Sequence, residues 1–324
     1  MISIKSIAIL TSGGDAPGMN ACIRAVVRSS IQHHIQVFGV FNGFDGLIDD
    51  NIKKLNSKNV GNIIQRGGTI LKSSRSKRFI TIEGRAVAFN NLKKNEIDAL
   101  IVIGGDGTFK GASQFSKEYN LPIIGIPGTI DNDLYGTDYT IGFDSAVQTA
   151  VELIDKVRDT ANALGRLFFI EVMGRDVGSI ALQAGLAAGA EDILIPEIKT
   201  DLHELSEKLK SCKHKESIIV VVAEGDDAGG VIEIAAKFQK LHPEYDIKTL
   251  VLGHLLRGGN PTANDRILAS RLGVAAVETL VNGYSNVMVG IKQNKITLTN
   301  LELCKKHYLT INQEWKKLMD LFSS

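Results

Sequence analysis

Two short runs carry the residue types that one kind of chemistry needs. Gly104-Gly105-Asp106-Gly107-Thr108 offers glycines, which let a backbone approach a phosphate, and a carboxylate able to hold Mg²⁺. Pro127-Gly128-Thr129-Ile130-Asp131-Asn132-Asp133 adds two more carboxylates, two residues apart. An alcohol attacking a terminal phosphate must be aimed and must lose its proton, and a carboxylate beside it does both. Asp131 is the candidate base, with Asp133 to orient it or help organise a metal. Phosphoryl transfer is the reaction this pairing predicts. Taken alone, each run has a plainer reading: Asp106 as a helix N-cap, and the second run as an Asx turn.

The elements that must position these runs are short and apolar. Ala99–Ile103 (ALIVI) precedes the first run and Pro122–Ile126 (PIIGI) the second. Both runs then sit at the carboxyl ends of parallel strands, where open α/β sheets bind ligands. A third loop, Thr11-Ser12-Gly13-Gly14-Asp15-Ala16-Pro17-Gly18-Met19-Asn20, joins a first strand to a first helix, where backbone N–H groups would attract an anion. Further strands are expected near 37–41, 167–172, 192–195, 217–222, 249–253 and 287–290. Amphipathic helices lie between most of them, for example over 20–33 and 144–160. This alternation predicts α/β architecture: two doubly wound, Rossmann-like domains with mainly parallel sheets. Composition places a break near Ile141-Gly142-Phe143.

Bulk properties exclude other classes. The 324 residues suffice for two domains. A net charge of +1 gives no reason to expect a nucleic-acid partner. No apolar run approaches the roughly 20 residues of a membrane span. Cys22, Cys212 and Cys304 have no metal-site spacing, which predicts a reducing, cytoplasmic setting. No GxxxxGK[ST] loop and no dinucleotide-type GxGxxG unit is present.

With Met173-Gly174-Arg175 and Gly253-His254-Leu255-Leu256-Arg257-Gly258-Gly259 added, the chain resembles the bacterial ATP-dependent 6-phosphofructokinases (type A) over nearly its whole length. That resemblance implies transfer of the ATP γ-phosphate to the 1-hydroxyl of fructose 6-phosphate, in a cytoplasmic homotetramer. It implies an ATP-binding domain (1–142 with 255–304) and a sugar-phosphate domain (143–254 with 305–324), with the active site in the cleft between them. Gly14, Arg75, Ser76, Gly105, Asp106, Gly107 and Thr108 would contact ATP, with Asp106 on Mg²⁺. Thr129, Ile130 and Asp131 would face the sugar, Asp131 taking the proton and Thr129 and Arg175 assisting. Met173, Gly174, Arg175, Glu224, His254, Leu255, Leu256 and Arg257 would bind the sugar phosphate. Arg166 and Lys248 would reach the 6-phosphate of a neighbouring subunit.

The resemblance also implies an effector site for ADP and phosphoenolpyruvate, built from Arg24, Arg28, Arg158, Gly189, Ala190, Glu191, Lys213 and Lys215. Several positions depart from the family pattern. Ser57 replaces an arginine, and Gly61 and Asn62 replace a serine and an aspartate, so strong allostery is not expected. Lys248 replaces an arginine and loses its bidentate fork. Leu256 and Phe44 replace a glutamine and a tyrosine. Gly107 and Gly128 stand where pyrophosphate-using relatives carry Asp and Lys, so ATP is the expected donor. A pyrophosphate-dependent enzyme is the alternative. A non-catalytic sugar-phosphate sensor is another, disfavoured by the presence of Asp131, Asp106 and Arg75.

Overall fold

The computed structural model describes residues 4–211, 217–308, 310–311 and 313–322. Contacts divide the chain into two units: one runs to Asp144 and resumes over Arg257–His307, the other spans Ser145–Leu256 and resumes at Tyr308.

The first unit is built on β1 (Ser6–Thr11), β2 (Gln36–Val40), β3 (Ile52–Leu55), β4 (Ala99–Gly104), β5 (Ile123–Pro127), β10 (Val287–Lys292) and β11 (Lys295–Asn300). They form a seven-stranded sheet in the order β11-β10-β5-β4-β1-β2-β3. The pairings from β10 through β2 are parallel, and an antiparallel strand closes each edge, β11 through a tight hairpin and β3 after an intervening helix. Every residue of β1, β4 and β5 is buried, as expected of strands covered on both faces. The helices α1 (Met19–Gln32), α2 (Gly43–Ile48), α3 (Ile82–Lys94), α4 (Asp106–Tyr119) and α9 (Ala263–Val281) belong to this unit. One core cluster gathers Phe44, Phe79, Phe109 and Phe115, with Phe44 stacked on Phe79 at 3.9 Å.

The second unit has four parallel strands in the order β7-β8-β6-β9: β6 (Leu167–Val172), β7 (Asp192–Leu194), β8 (Ile218–Ala223) and β9 (Ile247–Val251). The helices α5 (Phe143–Leu164), α6 (Ser179–Ala187), α7 (Leu202–Ser211), α8 (Val231–Leu241) and α10 (Gln313–Phe322) complete the set. Phe169 and Phe238 pack in its core.

The described residues hold eleven strands, two more than the apolar pattern predicts. The additional strands, β3 (IKKL) and β11 (KITLTN), are half exposed and rich in lysine and threonine. Lysine on an edge strand blunts edge-to-edge pairing, and it also removes the apolar run that marks a strand. The strand expected at 249–253 lies at Ile247–Val251, because Gly253 turns into the left-handed region at φ 50° and opens a 3-10 turn over Gly253–Arg257.

Candidate active site

In the first unit β1 has β2 on one side and β4 on the other, so the chain reverses direction across the sheet at β1. The crevice beyond the carboxyl ends of such strands is where this architecture takes ligands. The loop after β1 and the loop after β4 meet there. Ser12 N donates to Ile103 O at 3.0 Å, and Thr108 Oγ1 donates to Ser12 O at 3.1 Å. A third segment zips onto the first loop: Gly13 N donates to Ser74 O (3.2 Å), and Ser73 Oγ donates to Gly13 O (2.7 Å). This brings Arg75 and Ser76 next to the glycine loop. Arg75 is exposed. The Ser76 hydroxyl is already engaged, donating to Asp45 Oδ1 (2.6 Å) and accepting from Phe79 N (3.1 Å), so this side chain anchors its segment.

Helix α4 opens at this crevice, with extended Gly105 as its N-cap. Asp106 is its first residue, so it is not the cap. Among the described residues its half-buried carboxylate has no hydrogen-bond or ion-pair partner. A Cβ placed on Gly107 would meet nothing within 4 Å. The free N–H groups of the first helical turn, open space and an unengaged carboxylate together suit a phosphate chain and its cation. Gly128 is different. A Cβ there would lie 2.7 Å from Ile103 Cγ2 and 3.2 Å from Met19 Cε. The sequence leads one to expect that Gly128, like Gly107, marks an ATP-using enzyme by leaving space for the nucleotide; its missing side chain instead leaves room for the core.

The loop after β5 carries the carboxylates. Asp131 and Asp133 are buried, at 2% and 3% exposure, and Ile130 is fully buried. Thr129 Oγ1 accepts from Asp131 N at 3.2 Å. Arg257, 8% exposed, reaches in from the 3-10 turn. Its Nη1 donates to Asp15 O (3.1 Å), and its Nη2 is 3.9 Å from Asp131 Oδ1. A Cβ on Gly14 would come within 2.7 Å of the same Nη1. One guanidinium thus spans the distance between the first glycine loop and the candidate base.

In the second unit Met173, Gly174 and Arg175 follow β6, and Glu224 follows the neighbouring β8. Glu224 Oε1 accepts from Arg175 N (2.7 Å) and from Gly174 N (3.4 Å). Arg175 has φ 54°, the left-handed region, which costs a non-glycine residue about 1–2 kcal/mol. A Cβ on Gly225 would fall 1.9 Å from Arg175 O, so only glycine allows the two loops this close approach. Glu224 therefore holds the arginine loop by its backbone. Arg166 Nε and Lys248 Nζ both donate to Asp246, at 2.8 and 2.6 Å. Those bonds, from Lys248 first and then Arg166, hold the Asp246 carboxyl below its ordinary range. His254 and Leu255 are exposed on the 3-10 turn, whereas Leu256 is fully buried. Phe44 is core, not a polar contact.

The residues expected to bind effectors are described unit by unit. On α1, Arg24 is half-buried and Arg28 exposed, on a helix whose neighbouring positions are mostly buried. Ser57, Gly61 and Asn62 are exposed in one turn. In the other unit Arg158 Nη2 donates to the carbonyls of Ala188 (2.9 Å) and Gly189 (2.8 Å), and its Nη1 lies 3.6 Å from Glu191. Glu191 is buried and also accepts from Ile219 N at 2.7 Å. Ala190 is buried beside it. Lys213, His214 and Lys215 lie outside the described residues. Gly225 and Asp246, which the motifs do not single out, leave only a faint trace in the sequence: a glycine after a strand-exit glutamate and an acid two residues before a strand lysine.

The phosphofructokinase family model matches residues 6–280. The chain is 53% identical over 298 residues to ATP-dependent 6-phosphofructokinase 2 of Bacteroides thetaiotaomicron, covering 91% of each chain. It is 51% identical over 322 residues to ATP-dependent 6-phosphofructokinase 1 of Thermus thermophilus, covering 99% of this chain and all of the other. Among solved structures, phosphofructokinase from Saccharomyces cerevisiae superposes with a TM-score of 0.88 at 34% identity, over 98% of this chain and 50% of that one.

Proposed function

The chain belongs to the phosphofructokinase family, and we propose that it transfers the γ-phosphoryl group of ATP to the 1-hydroxyl of fructose 6-phosphate. The observation that carries this reading is the meeting, at adjacent strand ends, of two glycine loops with a buried aspartate. Thr108 ties the loops after β1 and β4 together, and Asp131 follows the next strand in the sheet.

In this reading the first unit is the ATP-binding domain and the second the sugar-phosphate domain. The loop amides and the first turn of α4 hold the phosphates, and exposed Arg75 adds charge to them. Asp106 would hold Mg²⁺ together with phosphate oxygens, and the ion would neutralise charge on the β- and γ-phosphates. Asp131 accepts the proton of the sugar 1-hydroxyl, and Thr129 fixes the backbone beside it. Arg257 and Arg175 supply guanidinium groups for the transferred group and the sugar phosphate. Glu224 has its second carboxylate oxygen for a sugar hydroxyl. Arg166 and Lys248 bind the 6-phosphate of a neighbouring subunit, which requires a homo-oligomer; a cytoplasmic homotetramer answering weakly to ADP and phosphoenolpyruvate completes the proposal. The open space at Gly107 supports ATP as donor, since an aspartate there would repel the α-phosphate.

Incubating the protein with fructose 6-phosphate and Mg-ATP and following phosphorus NMR tests the reaction. Equal amounts of fructose 1,6-bisphosphate and ADP are expected. Retained sugar-phosphate binding without turnover would contradict the proposal and favour a sensor.

A further inference from the structure

We propose that Thr140 and Asn132 form a clasp that fixes the Asp131 loop, acting as positioning residues that touch neither substrate. The inference rests on the reading of Asp131 as the base and goes beyond it in naming what holds that base.

The loop between β5 and α5 leaves Asp131 and returns eight residues after Asn132. Asn132 has φ 52°, a conformation asparagine tolerates better than most residues. Its amide uses both ends. Oδ1 accepts from Thr140 N at 2.8 Å, and Nδ2 donates to Asp138 O at 3.1 Å. The Thr140 hydroxyl, on a residue only 1% exposed, donates to Thr129 O at 2.6 Å. It also lies 3.2 Å from Asn132 Oδ1, but it has one proton, and the shorter partner takes it. The next residue continues the closure: Ile141 N donates to Pro127 O at 3.0 Å. Thr140 thus grips the residues on both sides of Ile130-Asp131, one by its side chain and one by its backbone.

The chemistry of the two side chains is specific. An aspartate at 132 would keep the acceptor and lose the donor to Asp138 O. A valine at 140 would keep the shape and leave Thr129 O without its buried donor, a costly loss. Neither side chain is among the groups assigned to ATP or sugar. Their effect must reach the reaction through where Asp131 sits, and small misplacements of a catalytic group are costly: about 1 Å can cost about 10²-fold in rate.

The experiment compares Asp131→Asn, Thr140→Val, Thr140→Ser and Asn132→Gly by steady-state kinetics in both substrates, with a thermal melt for each. Thr140→Val is expected to lower kcat by about ten- to a hundredfold while the KM for ATP stays within about twofold. Thr140→Ser, which keeps the hydroxyl, is expected to recover most of that loss. Asn132→Gly keeps the left-handed backbone and removes the amide, so it reads the clasp even if the valine variant fails to fold; it should lower kcat with the same KM pattern. An inactive Asp131→Asn beside a folded Thr140→Val at parental kcat overturns the clasp alone. An Asp131→Asn enzyme at parental kcat overturns the base assignment and the clasp together. Equal losses in the serine and valine variants would also overturn the clasp.

Discussion

The loop after β5 and the loop after β6 solve the same problem in opposite ways. Each leaves a parallel strand, and each contains a non-glycine residue in the left-handed region, Asn132 at φ 52° and Arg175 at φ 54°. The Asp131 loop is held by side chains, through Thr129, Asn132 and Thr140, and its carboxylate is buried. The Arg175 loop is held through its main chain, by Glu224 on two amides and by the bare backbone of Gly225. A short carboxylate has to be immobilised as a group. A long guanidinium needs only its backbone root fixed, and its own length then covers the distance to a phosphate. The same division separates the glycines: Gly107 faces open space, whereas Gly128 and Gly225 are spaces already filled by the fold.

The sharpest way to break the contrast is to remove the immobilised group itself. Asp131→Asn is expected to lower kcat by about 10²–10⁴-fold with an unchanged melting temperature; parental kcat would end its role as base. Next comes the backbone root. Gly225→Ala would place a methyl 1.9 Å from Arg175 O, and the loop must move. A loss of about tenfold or more in kcat/KM for fructose 6-phosphate is expected, with the KM for ATP little changed; a matching loss in ATP affinity would contradict it. Gly107→Asp and Gly128→Lys separate function from packing. The first should fold normally and lose ATP use, while the second should lower stability by about 1–3 kcal/mol through overpacking, read by denaturant melts. Equal stability of the two would refute the distinction.

The smallest effect concerns Asp246. It occupies Arg166 and Lys248 in the free protein, and its depressed pKa keeps that pairing until pH falls through its lowered value. A substrate phosphate must compete with it. Asp246→Asn is expected to lower the KM for fructose 6-phosphate by about two- to fivefold, the worth of a surface ion pair. An unchanged or higher KM would show that the carboxylate does not compete.

These loops also show what the sequence makes legible. Strands such as ALIVI and SIIVVV declare themselves because both faces are buried, and each is followed by the residues that could do chemistry. Asp106 and Asp131 could be singled out by type and position alone. The clasp could not: Thr140 stands in an undistinguished stretch, and only the return of the chain brings it to Thr129. Glu224 could be placed at a strand exit, but not its bonds to backbone amides. Ser76 could be named through the family resemblance, but not its engagement with Asp45. Edge strands β3 and β11 were hidden by their lysines and threonines. What is missing in each case is a long-range contact, which residue type does not encode.

The most direct test of the account is donor choice. Initial rates with fructose 6-phosphate and Mg²⁺ should be measured with ATP and with pyrophosphate side by side. Turnover with ATP and none above background with pyrophosphate is the predicted result. Turnover with pyrophosphate alone would contradict the reading of the open space at Gly107 and, with it, the assignment of the donor.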